Sequence, residues 1–174
     1  HEADLKTVQR REVQIPIDDF TLVDQNAREF KFSQLAGRVV VVAFAYTTCP
    51  DVCPLLTAAL RQVQSGLTLE ERKRVFLLTI TTDPEIDSPK VLAGYAKRYG
   101  ADLATWSFLA GDPAALQKVW KNFGVGVKRK ARGLVDHTPL TAVVDRQGRL
   151  RLAYVGPTPD PKVVLKDVRA LLLP

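Results

Sequence analysis

Both cysteines of the chain lie in one short stretch, Tyr46-Thr47-Thr48-Cys49-Pro50-Asp51-Val52-Cys53-Pro54. A disulfide scaffold distributes its cysteines along the chain, so a close pair reads as a metal or redox site. An apolar, β-branched run, Val39–Ala45, precedes the motif. Apolar residues at 55, 56, 59, 60 and 63 follow it with helical spacing. The motif therefore sits between a buried strand and a helix, at the strand end where α/β proteins bind ligands. If the first helical turn includes both cysteines, their sulfurs share one face. A helix N-terminus favours thiolate, the form that binds metal. Pro50 and Pro54 restrict the backbone and lower the entropy of ordering the site. Redox pairs of the Cys-x-x-Cys type have two intervening residues, whereas this pair has three. Cα atoms one helical turn apart still fall within the ~4.4–6.8 Å that a disulfide allows. The spacing favours metal and leaves disulfide exchange open.

Soft thiolates select Cu(I), Zn(II) or iron–sulfur clusters. Two cysteines complete neither a tetrahedral zinc site nor a cluster, so a further ligand is needed. The chain holds two histidines, His1 and His137. His137 lies in Val135-Asp136-His137-Thr138-Pro139, just before an apolar strand. Pro139 falls where a thioredoxin-like fold puts the loop facing its cysteine motif, which sets His137 within reach of Cys49 and Cys53. Two thiolates and one imidazole make a trigonal soft site, suited to Cu(I) and adaptable to Cu(II). The plainer alternatives are inert thiols or a structural disulfide, and a loop histidine satisfied by backbone. His1 would chelate Cu(II) through its amine and imidazole if it were a natural terminus; a cleavage remnant is the simpler expectation.

The elements that must position these residues follow from patterning. Phe20-Thr21-Leu22-Val23 and Phe30-Lys31-Phe32 flank the turn residues Asp24-Gln25-Asn26 and predict a hairpin. Strands are expected at Val39–Ala45, 75–80, 106–110, Leu140–Val144 and Arg149–Val155, the last two joined by the turn Asp145-Arg146-Gln147-Gly148. Helices are expected over 55–63, from Ser88-Pro89 to Gly100, from Asp112-Pro113 to about Phe123, and over 161–173. This order predicts an α/β fold: a thioredoxin-like mixed sheet flanked by helices, with an N-terminal β-hairpin extension. Residues 1–11 read as a polar, poorly ordered tail and 12–174 as one domain.

The formal charge of +6 and pI near 9.5 favour acidic partners or anionic surfaces. The aromatics read as core residues, so nucleic acid is not an expected partner. Apolar runs are too short to span a bilayer, which takes ~20 residues. The chain opens on His1 and lacks Met, which leads us to expect either a removed signal or anchor or a shortened chain.

Three segments in order make the sequence resemble the Sco/SenC family of copper chaperones for cytochrome c oxidase assembly. Phe44-Ala45-Tyr46-Thr47-Thr48-Cys49-Pro50-Asp51-Val52-Cys53-Pro54 matches the family signature. Asp83-Pro84-Glu85-x-Asp87-Ser88-Pro89 is similar to its second segment, with Ser where Thr is commoner. Val135-Asp136-His137-Thr138 resembles the segment holding its histidine ligand, and Asp145-x-x-Gly148 its strand turn. The resemblance runs over roughly residues 12–172. It implies a thioredoxin-like fold and copper, Cu(I) or Cu(II), held by Cys49, Cys53 and His137. It further implies a monomer at an extracytoplasmic site, in the periplasm or on the outer face of the cell membrane, with an N-terminal anchor. The implied role is copper delivery to the binuclear centre of cytochrome c oxidase subunit II, or to another copper protein, after loading by a periplasmic donor. The alternative is a thiol–disulfide oxidoreductase that reduces the cysteines of that centre, using Cys49 and Cys53 as its redox pair. Peroxide reduction ranks below both, because the Thr and Arg pattern around a peroxidatic cysteine is absent.

Secondary features stay open at this stage. Asp83 and Asp87 could orient the site or dock a partner, but a turn with helix capping by Asp87 or Ser88 is favoured. Asp51 either tunes the charge of the site or faces solvent. Asp136 could orient His137, although neighbours in extended chain point apart. Lys128-Arg129-Lys130-Ala131-Arg132, flanked by Gly124, Gly126 and Gly133, is either a steering patch or a solvated hairpin tip, and its glycines predict mobility.

Overall fold

In the computed structural model, residues 7–50 and 52–174 are described. Asp51 and His1 lie outside them, as does the first part of the expected tail. A six-stranded sheet runs in the order β1-β10-β9-β4-β5-β6. Its strands are β1 (Gln9–Pro16), β4 (Val39–Ala45), β5 (Val75–Thr81), β6 (Trp106–Leu109), β9 (Leu140–Val144) and β10 (Arg149–Val155). β4, β5 and β6 are mutually parallel; β9 pairs antiparallel to β4, β10 to β9, and β1 to β10. The sheet is thus mixed, as expected.

Central strands β4 and β5 are buried at every position, since helices cover both faces. On one face pack α1 (Val52–Gly66), α3 (Pro89–Arg98) and α5 (Pro161–Leu172), through Leu56, Leu60, Tyr95, Val164 and Val168. On the other pack α4 (Pro113–Phe123) and the hairpin of β2 (Thr21–Val23) and β3 (Glu29–Lys31), through Leu22, Phe30, Leu116 and Trp120. Each such large apolar side chain stabilises the fold by roughly 1.5–3 kcal/mol relative to exposure. Ser88 caps α3 by accepting from the Val91 amide, and Asp112 caps α4 by accepting from the Ala115 amide; both helices have Pro at the first turn. Thr68 and Glu71 form a capping box on the single turn α2 (Leu69–Arg72), which periodicity does not predict. The β2–β3 hairpin also closes the β6 edge: Val23 and Ala110 exchange backbone bonds, and the Gln25 side chain accepts from the Phe108 amide at 3.0 Å.

Two differences from the expected order matter. Residues 9–11 are not tail but the start of β1, an edge strand whose side chains are almost all exposed. Besides its backbone ladder with β10, β1 is held by a charge: Arg10 donates to both carboxylate oxygens of Asp167 on α5, at 2.8 and 2.7 Å, and Tyr154 donates to the same carboxylate at 2.6 Å. Second, the expected order lacks two short strands, β7 (Val127–Arg129) and β8 (Val135–His137), whose pairing makes the basic stretch the hairpin tip of one of its two readings. Its tip is the region of left-handed backbone, with Arg132 at φ 62° beside Gly133. Among the described residues no helix is long and apolar enough to cross a membrane.

Burial raises the Asp167 pKa, but the bonds from Arg10 and Tyr154 outweigh it and leave the carboxylate below its ordinary value. A carboxylate depressed in the folded state adds stability above its unfolded pKa, and that stability is lost as pH falls through the folded value. Arg10→Ala is expected to cost about 2 kcal/mol at neutral pH, less as the solution is acidified. Urea unfolding at neutral and acidic pH measures both effects.

Candidate metal centre

Topology brings the candidate residues to one pole. The Cys49 segment follows the carboxyl end of β4, and His137 ends β8 just before the amino end of β9. Because β9 is antiparallel to β4, those two ends coincide. Cys49, Cys53 and His137 line a single open groove, together with Tyr46, Pro50, Val52, Leu134 and Pro157.

Cys49 lies in a tight turn closed by its own amide donating to the Tyr46 carbonyl at 3.2 Å. α1 starts only at Val52, so Cys49 precedes the helix instead of sitting within its first turn. Its sulfur accepts from the Cys53 amide at 3.3 Å, which sets it against the positive end of the helix. Neither cysteine is in a disulfide; Cys49 is partly exposed and Cys53 is 1% exposed. The hydrogen bond with Cys49, and then burial, push the Cys53 thiol pKa far up, so Cys53 keeps its proton through neutral pH.

His137 is half-buried. Its Nδ1–H donates to the Thr138 carbonyl at 3.1 Å, which leaves Nε2 as the lone-pair nitrogen. The ring meets Tyr46 edge-on, with centroids 6.1 Å apart. Thr138, not Asp136, orients this ring; Asp136 pairs with Lys130 at 3.2 Å at the rim of the same groove. Among the described residues no three His, Cys, Asp or Glu side chains are gathered closely enough to share a metal ion. The groove therefore is lined by two thiols and an oriented imidazole that are not yet gathered into one cluster.

Three residues around the site were not assigned these roles from the sequence. Tyr46, 5% exposed, packs against Cys53 and Val135 as well as His137. Burial, and then the nearness of Cys49, raise its phenol pKa against a hydrogen bond with the Val135 backbone. Of the two capping candidates Ser88 caps the helix, as one arm of the favoured reading has it, while Asp87, 1% exposed, is turned to the cysteine segment. Its carboxylate accepts from the Thr47 amide at 3.1 Å, the Thr47 hydroxyl at 2.5 Å and the Thr81 hydroxyl at 2.7 Å. Asp87 thereby fastens the cysteine turn to the end of β5. Asp83, 2% exposed, accepts from Arg129 of the β7–β8 hairpin at 2.7 Å. A buried acid is the only sequence signal for these roles, and it is visible only once burial is known.

A family model described as SCO1/SenC matches residues 8–173. Among solved structures, apo Sco1 from Thermus thermophilus is 34% identical with a TM-score of 0.79, covering 95% of this chain and 96% of its own. ScoI from Bradyrhizobium japonicum with copper bound is 28% identical with a TM-score of 0.72, covering 90% of this chain and 99% of its own. BsSco, described as a member of the Sco family of cytochrome c oxidase assembly proteins with a disulfide switch, is 26% identical with a TM-score of 0.78, covering 92% and 95%. The chain spans about two thirds of the length of several curated relatives. With a match over nearly its whole length and a thioredoxin-like fold shared with these structures, the chain belongs to the SCO1/SenC family.

Proposed function

We propose that this protein binds copper through Cys49, Cys53 and His137 and passes it to the binuclear copper centre of cytochrome c oxidase subunit II. One observation carries the reading: two thiols and a histidine whose Nδ1 is held by a carbonyl line one open groove. Thiolate sulfur and imidazole nitrogen are the donors that suit Cu(I) and tolerate Cu(II). The Thr138 carbonyl fixes the tautomer that leaves Nε2 free to coordinate. The copper-bound relative supports the metal, and the description of BsSco supports the oxidase context. We place the site outside the cytoplasm, where both the oxidase copper centre and its donors are found, tethered to the membrane by a segment upstream of this domain. Copper here is cargo, so a partly exposed Cys49 and an open groove suit a site that must also release it.

A second reading has support from the thiol pair itself. With its sulfur against the Cys53 amide, Cys49 is placed to attack a partner disulfide, and Cys53 to resolve the mixed disulfide. Two electrons and two protons pass to the partner, which leaves as a dithiol while Cys49 and Cys53 close to a disulfide. This activity needs no His137.

Anaerobic titration of the reduced protein with Cu(I) separates the two. Wild type is expected to bind one ion per chain, and His137→Ala to bind about 100-fold more weakly or worse while exchanging disulfides at the wild-type rate. Binding indifferent to His137 would put the reductase ahead. Because Cys53 is protonated before loading, metal must expel that proton, so apparent affinity should rise with pH through the neutral range. Calorimetry in buffers of different ionisation heat reads the released protons directly.

A further inference from the structure

The β5–α3 connection carries two buried carboxylates, and each grips one of the two segments that bear the cysteines and the histidine. Asp87 holds the cysteine turn through Thr47. Asp83 holds the His137 hairpin through Arg129: the guanidinium donates to Asp83 Oδ1 at 2.7 Å and reaches the exposed Glu85 at 3.2 Å. The second oxygen of Asp83 is buried without a hydrogen-bond partner, so Arg129 is the ion-pair partner of this carboxylate. Removing one member of a buried pair leaves an uncompensated charge, which makes this contact costly to break. Glu85 adds little, because its charge faces water.

The hairpin is also fastened by Val135, buried with Ala45, Tyr46 and Cys53, and by the bond between Tyr46 and the Val135 backbone. Its base is stitched where Gly126 and Thr138 exchange bonds, the Thr138 amide donating to the Gly126 carbonyl and the Gly126 amide to the Thr138 hydroxyl, each at 2.9 Å. Beyond that base, Val127 faces His137 and Arg129 faces Val135 across the ladder, while Lys128, Lys130 and Arg132 are exposed. Arg129 is the side chain that ties the hairpin to the β5–α3 connection by charge. We propose that Arg129 is a positioning residue: held by buried Asp83, it keeps the His137 hairpin over the cysteine turn, so that copper retention depends on a contact no ligand makes. The proposal rests on the copper role given above. The ion pair restricts the excursion of His137 to distances from which Nε2 can meet the thiols, and its loss adds the cost of finding that position to every binding event.

The test uses Arg129→Gln, Arg129→Lys and Asp83→Asn, each alone and each combined with His137→Ala. In the metal-free proteins, amide hydrogen exchange at Val127, Arg129, Val135 and His137 is followed by NMR. Arg129→Gln and Asp83→Asn should speed it about tenfold relative to wild type, with β4 and β5 amides unchanged. Arg129→Lys, which keeps a cation for Asp83, should restore most of the protection. In Cu(I) titrations the first two variants should bind about tenfold more weakly, and neither should weaken binding further once His137 is Ala. Unchanged hairpin exchange would overturn the proposal whatever the copper result, and so would faster exchange with copper affinity unchanged or tighter. Equal losses with and without His137 would also overturn it, because Arg129 would then act on the whole fold. If wild type shows no copper binding that depends on His137, the copper role fails, and with it the assignment of Arg129 to metal retention; faster exchange would then show a hairpin restraint alone. Should Asp83→Asn fail to fold, Arg129→Gln and its lysine counterpart carry the test.

Discussion

The antiparallel insertion of β9 beside β4 is the constraint on which the site depends. Val40 pairs with Val144 and Ala43 with Thr141, so the chain enters β9 at the same pole where it leaves β4. Parallel placement would have put the histidine segment at the far end of the sheet. The pairing is secured by burial on both faces, since Ala43, Ala142 and Val143 are fully inaccessible. A substitution that disturbs this strand pair would separate the two halves of the groove without touching either.

Polar interactions then refine what the sheet only approximates. The cysteine turn and the histidine hairpin make no regular secondary-structure pairing with each other, yet both are tied to the short connection between β5 and α3. Asp87 is fully served by three donors. Asp83 has one oxygen served by Arg129 and one orphaned, and burial, with Arg129 opposing it, holds its pKa above the ordinary carboxylate value. The two carboxylates differ in how completely they are satisfied. The cysteine side of the groove is therefore anchored by a fully satisfied carboxylate, and the histidine side by one that is half satisfied.

Much of the fold was legible because local and global demands agree. Val39–Ala45 reads as a central strand, and it is one, because apolar, β-branched residues without alternation suit burial on two faces. Ser88-Pro89 and Asp112-Pro113 mark helix starts through capping chemistry that acts within one turn. β1 was not legible, since Gln9-Arg10-Arg11-Glu12 has no apolar alternation and its anchor, Asp167, is distant in sequence. The β7–β8 ladder was half legible: the basic stretch reads as a hairpin tip or a steering patch, while the carboxylate that pairs with Arg129 lies far off in sequence. At the site, residue type and spacing suggested that Cys49, Cys53 and His137 come together, and the three line one groove. Tyr46, Asp87 and Arg129 were not assigned their roles, because each acts through a partner that only the folded chain supplies.

The order of the elements also has a consequence for how the protein is made. Cys49 and Cys53 belong to the first third of the chain, whereas His137 and the strand that positions it come in the last. A chain that emerges amino end first exposes both thiols, with no buried turn around them and no imidazole opposite, until β9 has been synthesised and has docked on β4. During that interval the pair is open to oxidants and to whatever soft ions are nearby. Selectivity at this site is thus a property of the finished molecule, and newly made chains depend on their surroundings for it.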